Sequence, residues 1–494
     1  MSNNQQHIIV LGGGTAGWMT ANLLQQQLAP KGFVITVVES EDIGIIGVGE
    51  GSTPQLKVFF DILSIDEQQW MPQCDATYKH GITFHAWTTG ESPLPHTYFH
   101  PFPSSLDNQT AGAFLRANHQ TLHNQSAAPH PSQYFLAHHL TQQKRSPHLL
   151  ERADTEVKTT YGYHFDSYKL GAFLKHYGTQ QGIQTRTATI ASVQQDERGI
   201  SSLTTTDNNI ITGDWFFDCS GFQSLLLQQT LGVEFESFAA HLFNDCAIAT
   251  PTPCGIEEHP HTQATALRCG WAWRIPLQSR VGNGYVFSSR FCDFEEAEHE
   301  LAQHLGLDKD STSFRRIRMK VGQVKQHWYK NCVAVGLAQG FIEPLEATAL
   351  HLVQETVTQF IGAFTAGQFS QHYQAQFNKV IRARFNGVKD YINGHYILNK
   401  QTGPYWQACR EKAKVTPHLQ QIILCWQRGG DLHQLLTQLD LLAYYPTVSW
   451  YCLLSGYQHF PTLGLAKAEL ESEESKQIKM FLEQQAEAFS SIAT

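Results

Sequence analysis

Several things are scarce in this chain, and each scarcity narrows the reading. No stretch of about 20 apolar residues occurs, so a membrane-spanning helix is not expected. The first residues, Met1-Ser-Asn-Asn-Gln-Gln, carry no positive charge, and the apolar run behind them turns at Gly12, so no signal peptide is expected and the protein is expected to be cytoplasmic. Charged residues make up only 16%, the formal net charge is −9, and Lys and Arg form no block. That argues against nucleic acid as a partner. The 10 cysteines are scattered at positions 74, 219, 246, 254, 269, 292, 332, 409, 425 and 452, and none form Cys-x-x-Cys. They read as buried thiols, not as a disulfide or zinc framework. His119 and His123 stand one helical turn apart without the Glu of a zinc-protease motif, so no metal is expected. No internal repeat or low-complexity linker separates the modules.

What the chain does have is length and pattern. With 494 residues, 41% of them hydrophobic, two or three packed modules are expected. His7 to Leu11 reads as a buried parallel strand, Ala16 to Leu28 as a helix, and Gly32 to Glu39 as a second strand. Together they make a βαβ unit. The glycine-rich stretch from Ile43 to Pro54 reads as a loop that lets backbone approach something closely. From Trp87 to about Leu150, Pro, His, Ser, Asn and Gln predict loops, with a helix near Ala111 to His123. Tyr163 to Tyr177 reads as a helix. Strands are expected around Gln184 to Val193, Ile210 to Asp218, Gly284 to Ser289, and within Trp328 to Gly336. His351 to Phe364 reads as an amphipathic helix, and the chain after about residue 370 as mainly helical. The expected domains are a cofactor module over 1–365, with a loop-rich insertion at about 85–160, and a helical module over 366–494.

The first strand-to-helix turn carries Gly12-x-Gly14-x-x-Gly17. The first glycine makes the tight turn. The second removes a Cβ from the path of a pyrophosphate, and the third lets helix and strand pack closely. Thr15 and Ala16 open a helix whose free N–H groups suit phosphate. Glu39 ends the second strand where an acid accepts the hydroxyls of an adenosine ribose. The plain alternative is a glycine-rich turn with a solvated Glu. Asp214-Trp-Phe-Phe-Asp218-Cys-Ser-Gly and Val333-Ala-Val-Gly-Leu337-Ala-Gln-Gly resemble the later strand elements of two-dinucleotide-fold flavoproteins. They favour FAD. No second Gly-x-Gly-x-x-Gly follows a strand, so reducing equivalents are expected from another protein.

Far downstream stands Gly270-Trp271-Ala-Trp273-Arg-Ile275-Pro276. On a strand, Trp271 and Trp273 share one face and make a rigid indole wall; an ordinary core strand is the plain alternative. This segment, with Gly12-Gly-Gly-Thr-Ala-Gly-Trp-Met, Ile46-Gly-Val-Gly49-Glu50, Phe59-Phe-Asp-Ile-Leu, Trp70-Met-Pro-Gln, Asp218-Cys-Ser-Gly, Gly284-Tyr-Val-Phe-Ser-Ser and Phe341-Ile-Glu-Pro-Leu-Glu346, resembles the flavin-dependent tryptophan halogenases over essentially the whole chain.

The resemblance implies an α/β fold: a two-dinucleotide-fold, monooxygenase-like FAD-binding box with an interleaved, mainly helical substrate module. It implies that FADH2, O2 and chloride or bromide yield hypohalous acid, which reaches an indole through Lys79, by hydrogen bond or as a haloamine. Glu346 is the matching carboxylate. Gly12, Gly14, Thr15, Ala16, Gly17, Glu39, Gly49, Glu50, Asp218, Leu337 and Leu350 are assigned to the cofactor, and Thr348 and Ala349 to halide. Where the family commonly reads Glu-Ser-Thr-Gly-Ile, this chain reads Glu346-Ala347-Thr348-Ala349-Leu350. His100 and Phe102 resemble the residues that sandwich the indole, with Tyr445 in place of a Trp. The 439–452 stretch is shorter than the loop that clamps the amino acid. Free indole or a larger indole-bearing molecule is therefore as compatible as tryptophan. The implied partners are a separate NAD(P)H-dependent flavin reductase and a small aromatic substrate; assembly stays open, a homodimer among the options. The residues alone leave two other readings, an aromatic hydroxylase and a non-catalytic flavin- or indole-binding protein.

Overall fold

The computed structural model describes residues 5–40, 49–88, 97–123, 128–151, 153, 156–255, 258–461 and 472–492. Gln6–Leu11 is a strand whose last four residues are buried. The helix Thr15–Leu28 follows, and Phe33–Glu39 returns parallel to the first strand, Gln6 opposite Phe33 and Leu11 opposite Val38. Parallel strands joined by a helical crossover are covered on both faces, which is why these runs are Val- and Ile-rich and do not alternate.

Trp215–Asp218 extends the sheet on one side and Gln184–Thr187 on the other. Cys332–Ala334 adds a parallel strand, and Trp328–Tyr329 closes that edge antiparallel, giving six strands. Helix Ala349–Ala366 packs its aromatics on this sheet: Phe364 lies 4.7 Å from Trp215 and 5.7 Å from Phe33, edge to face. Each such ring buried from water contributes on the order of 2–3 kcal/mol.

The chain divides into two compact units, each built from three segments. One comprises 1–76, 165–239 and 319–386; the other comprises 77–164, 240–318 and 387–494. The expected boundary at 365 is therefore not the observed one. The reason is topological: the six-stranded sheet draws strands from residues 6 to 334, so no contiguous stretch completes its core. The second unit holds a seven-stranded sheet in the order 315–318, 246–253, 280–287, 270–276, 262–267, 81–85, 97–101. All its pairings are antiparallel except that of Thr262–Leu267 with Gly81–His85.

Local differences from the sequence reading have local causes. Tyr163 to Asp166 is not helical: Gly162–Asp166 is a strand, and Asp166 caps helix Ser167–Gln180 by accepting from the Tyr168 and Lys169 amides at 3.0 and 3.1 Å. The strand expected over 210–218 is broken into Ile210–Thr212 and Trp215–Asp218, and Asp214 at the break accepts from the His7 amide at 2.8 Å. The loop-rich stretch contains the strand Thr97–Pro101 and the helices Asp107–Leu122 and Leu136–Gln142. The first part of the expected glycine-rich loop, residues 43–48, lies outside the described residues. The tail is mainly helical, from Pro404–Lys412 to Glu473–Ala486.

Candidate active site

The three glycines of the first turn meet three different surroundings. Gly12 has φ +118°, and a Cβ there would lie 2.2 Å from the Cys219 carbonyl oxygen. A Cβ on Gly17 would lie 1.9 Å from the Gly12 carbonyl oxygen. Both positions are closed by backbone, so both glycines are required for the turn itself. A Cβ on Gly14 would meet nothing within 4 Å. That open side lies at the start of helix Thr15–Leu28, which has no side-chain cap and no acid in its first turn. A cradle of open space at an uncapped helix N-terminus fits a pyrophosphate. Thr15 turns its hydroxyl away, donating to the Ser167 carbonyl at 2.9 Å, and Ala16 packs where Gly336 leaves room for it.

Glu39 sits at the end of its strand, as expected, but it is not simply solvated. Its carboxylate accepts from Lys175 and, at 3.4 Å, from the Trp18 indole. Glu50, next to Gly49 in the short strand Gly49–Gly51, is hydrogen-bonded to the Ser167 side chain; removal from water, with Asp166 close by, pushes its carboxyl up to about 7. Asp218 is fully buried and accepts from the amides of Ser220, Leu226 and Leu227 at 3.1, 2.9 and 2.8 Å and from the hydroxyls of Ser220 and Ser224. Both its oxygens are occupied by protein donors. The side chain holds together the turn behind the strand.

A second uncapped helix start lies in the same unit. Pro344–Glu346 is a short 3-10 turn; Ala347 then takes a left-handed conformation, φ +55°, and Thr348 precedes helix Ala349–Ala366. The helix begins two residues earlier than the expected start at His351. It has no side-chain cap and no acid in its first turn. The Thr348 hydroxyl is buried without a hydrogen-bond partner among the described residues. Glu346 is buried at the base of this turn, and Leu337 and Leu350 are half-buried.

The second unit carries Lys79. It ends strand Thr77–Lys79, pairs with Gly162, and has no exposed surface. Its ammonium stands 5.5 Å from the ring centroid of Phe102, a cation–π distance. The placement follows from backbone: the Phe102 amide donates to the carbonyl of His80, the residue after Lys79, at 2.9 Å. The Lys79 strand is braced by His164, which contacts the Thr77 hydroxyl at 3.2 Å and the Thr262 hydroxyl at 2.9 Å. Burial, and then the charge of Lys79, hold His164 well below the ordinary imidazole range. It is a neutral brace, not a second cation.

His100, two residues before Phe102, is buried and reaches Ser449 Oγ at 3.2 Å. Tyr445 is half-buried. It lies flat on Tyr391, with ring centroids 3.5 Å apart and planes 4° apart. Tyr391 in turn donates to the Ser449 carbonyl at 3.1 Å. Trp271 and Trp273 sit on Gly270–Pro276, near the middle of the seven-stranded sheet, with ring centroids 6.3 Å apart. Gly284 faces Trp273 across the ladder, and a Cβ there would lie 2.1 Å from the indole. Both indole N–H groups are buried without an acceptor among the described residues. Each orphaned donor costs about 1–3 kcal/mol.

Comparison with known proteins decides the family. The tryptophan halogenase family model matches residues 7–475. The tryptophan 6-halogenase SttH of Streptomyces toxytricini is 33% identical over 92% of this chain and 90% of its own length. The chain belongs to the tryptophan halogenase family. The tryptophan 7-halogenase RebH of Lentzea aerocolonigenes is 31% identical over 92% of this chain and 90% of its own. The flavin-dependent halogenase BrvH of Brevundimonas sp. BAL3 superposes with a TM-score of 0.82 at 28% identity, covering 99% and 98% of the two chains. The protein is thus a flavin-dependent halogenase with the α/β fold of that group.

The structure brings the halogenase's residues together in two sets. Gly12, Gly14, Gly17, Glu39, Glu50, Asp218, Leu337, Glu346, Thr348, Ala349 and Leu350 belong to one unit; Lys79, His100, Phe102, Trp271, Trp273 and Tyr445 belong to the other. Sequence reasoning missed Lys175 on Glu39, the His164 brace and Tyr391 beneath Tyr445. None announces itself in sequence, because each acts through a partner more than 50 residues away.

Proposed function

We propose that this halogenase is a two-component enzyme that uses FADH2, O2 and chloride or bromide to halogenate an indole, with a separate flavin reductase as its source of reduced cofactor. The open side of Gly14, at the uncapped start of helix Thr15–Leu28, is the observation that supports the cofactor assignment. The Gly12 turn would hold the pyrophosphate, Glu39 the ribose, and the backbone around Gly49, Glu50, Leu337 and Leu350 the remainder. When bound, reduced flavin supplies the two electrons that activate O2 to oxidise halide.

The protein's own groups account for the rest. Halide binds where Thr348 and Ala349 open an uncapped helix, as an anion at a positive dipole end. Hypohalous acid accepts a hydrogen bond on its oxygen from the Lys79 ammonium, which polarises the halogen toward the ring. Glu346 orients the oxidant and takes the proton lost from the ring carbon. His100 and Phe102 hold the aromatic face, and the Trp271–Trp273 wall keeps water and substrate away from the flavin. The observation that supports this assignment is the burial of the Lys79 ammonium 5.5 Å from the centroid of the Phe102 ring, beside the aromatic face assigned to the substrate.

With Tyr445 stacked on Tyr391 and the 439–452 stretch short, the substrate class is indoles generally, not tryptophan alone. The test is mass spectrometry of reactions containing FAD, a flavin reductase, NADH, bromide or chloride, and a panel of indoles including tryptophan. Halogenated product is expected, falling at least about 100-fold in Lys79→Ala while FADH2 oxidation continues. A gain of oxygen without halogen would establish the hydroxylase reading in its place.

A further inference from the structure

His164 touches two threonines, and one further hydrogen bond fixes which of its nitrogens carries the proton. The Thr77 hydroxyl lies 2.7 Å from the Pro276 carbonyl, which can only accept, so Thr77 donates there. A hydroxyl has a single hydrogen. Toward His164 Nδ1, at 3.2 Å, Thr77 must therefore accept, and Nδ1 carries the proton. The ring has no exposed surface; burial, then the charge of Lys79, then His261 and His80, hold it well below the ordinary imidazole range. A neutral ring with its proton on Nδ1 keeps a lone pair on Nε2. Nε2 thus accepts from the Thr262 hydroxyl at 2.9 Å. The three hydrogen bonds run one way, from Thr262 through His164 and Thr77 to Pro276.

Both ends of this chain rest on the seven-stranded sheet. Thr262 opens strand Thr262–Leu267, and Pro276 closes Gly270–Pro276, the strand of Trp271 and Trp273. Those two strands pair with each other, Gln263 opposite Arg274. Between the two ends lies the strand of Lys79. It stands at the edge of its own small sheet, where backbone pairing holds it from one side, and the Thr77 hydroxyl adds a further tie. Thr77 and Lys79 share one face of the strand. Opposite them stand His164 and Gly162. Gly162 has no side chain, so the ring that the ladder sets beside Lys79 is His164, its diagonal neighbour. Such neighbours stand about 7–8 Å apart, within reach of a long side chain.

We propose that His164 is a positioning residue for halogen transfer: through the Thr77 hydroxyl it sets the strand of Lys79 in register with the strand of Trp271 and Trp273, and it presents an uncharged ring to the Lys79 ammonium. The residue acts through Lys79 and touches no reacting atom. An ammonium that must point at the oxygen of hypohalous acid tolerates little displacement; an error of about 1 Å can cost about 100-fold in rate. A protonated ring in the same place would set a second positive charge against the first. The proposal rests on the halogenase reading for its reaction, and on the hydrogen bonds for its tautomer.

Two variants separate the links. An Asn amide can stand where Nδ1 stands and donate to Thr77, whereas a Gln amide reaches the place of Nε2 and keeps only the Thr262 contact. His164→Gln is expected to lower kcat for halogenation about 30-fold, with halide and indole KM and FADH2 oxidation unchanged, while His164→Asn stays within about threefold of the parent. Thr77→Val should match His164→Gln, and the two together should cost no more than either alone. An unchanged kcat in His164→Gln, or equal loss in the Asn and Gln variants, overturns the role. Nitrogen NMR of the full-length protein with isotope-labelled histidine supplies a second readout, the signal being assigned by its loss in His164→Asn. The ring should carry its proton on Nδ1, with Nε2 bare, and should not change between about pH 6 and 9. A proton on Nε2, or titration in that window, overturns the proposal as well. The NMR signature needs no turnover: a parent that yields no product in the indole panel removes the halogenase reading, while the tautomer is decided either way.

Discussion

Two of the uncapped helix starts of the first unit make an instructive pair. At Gly14, space for an anion is made by leaving out a side chain: the helix begins behind three glycines, two pinned by backbone and one open. At Thr348 the turn is made by conformation: Ala347 turns left-handed, and the helix begins behind a buried hydroxyl that has no partner among the described residues. Asp293, Thr416 and Asp431 close other helix starts with a side chain, while Gln55–Ile62, Asp107–Leu122, Leu136–Gln142, Pro404–Lys412 and Thr447–Gly456 also begin without one. What sets these two apart is the open space beside Gly14 and the buried Thr348 hydroxyl, not the missing cap. The glycine version is written in the sequence; the conformational version is not.

The largest effect should come from Gly17→Ala. Its Cβ would meet the Gly12 carbonyl oxygen at 1.9 Å, so helix and strand must part. A loss of about 3 kcal/mol of stability is expected, together with FAD binding, read by denaturation and flavin fluorescence. Gly14→Ala separates the two consequences. Its backbone, φ −76° and ψ 178°, suits alanine, and its new Cβ meets no protein atom. Stability should stay within about 0.5 kcal/mol, while FAD affinity falls about 100-fold, or about 2.7 kcal/mol. Equal loss of both would mean that Gly14 serves folding and the cradle is not a cofactor site.

Ala349→Asp brings the comparison to the other helix start. A carboxylate in the first turn should stabilise the helix by about 0.3–1 kcal/mol. It also places a fixed anion at the halide site proposed above. The halide KM should rise about 30-fold, near 2 kcal/mol, with FAD affinity unchanged. An unaltered halide KM would move the halide site elsewhere.

What can be read from the sequence divides along the same line. The βαβ unit, the three glycines, Glu39 and the Trp271–Trp273 strand are legible, because each rests on local spacing and residue type. The roles of Lys79 and Glu346 come from resemblance alone; neither has a local pattern that separates it from an ordinary surface lysine or helix-start acid. Strand Gly162–Asp166 reads as helix because pairing with strands distant in sequence, Thr77–Lys79 among them, makes it extended. The three-segment units are illegible for the same reason: their sheets join strands hundreds of residues apart. The stacking of Tyr445 on Tyr391, 54 positions away, is a contact that no periodicity encodes.

The smallest expected effect asks which part of the Thr348 turn holds the anion. Valine is nearly the shape of threonine, so Thr348→Val removes one oxygen and little else. A buried hydroxyl without a protein partner is unfavourable by about 1–3 kcal/mol, so the variant should be no less stable than the parent. If that hydroxyl donates to halide, the halide KM rises about tenfold, or about 1.4 kcal/mol, and Thr348→Ser keeps the parent value. If the KM is unchanged in both variants, the helix amides bind halide alone. The two helix starts would then be one device, backbone donors behind a turn, with the glycines needed only where the ligand is large.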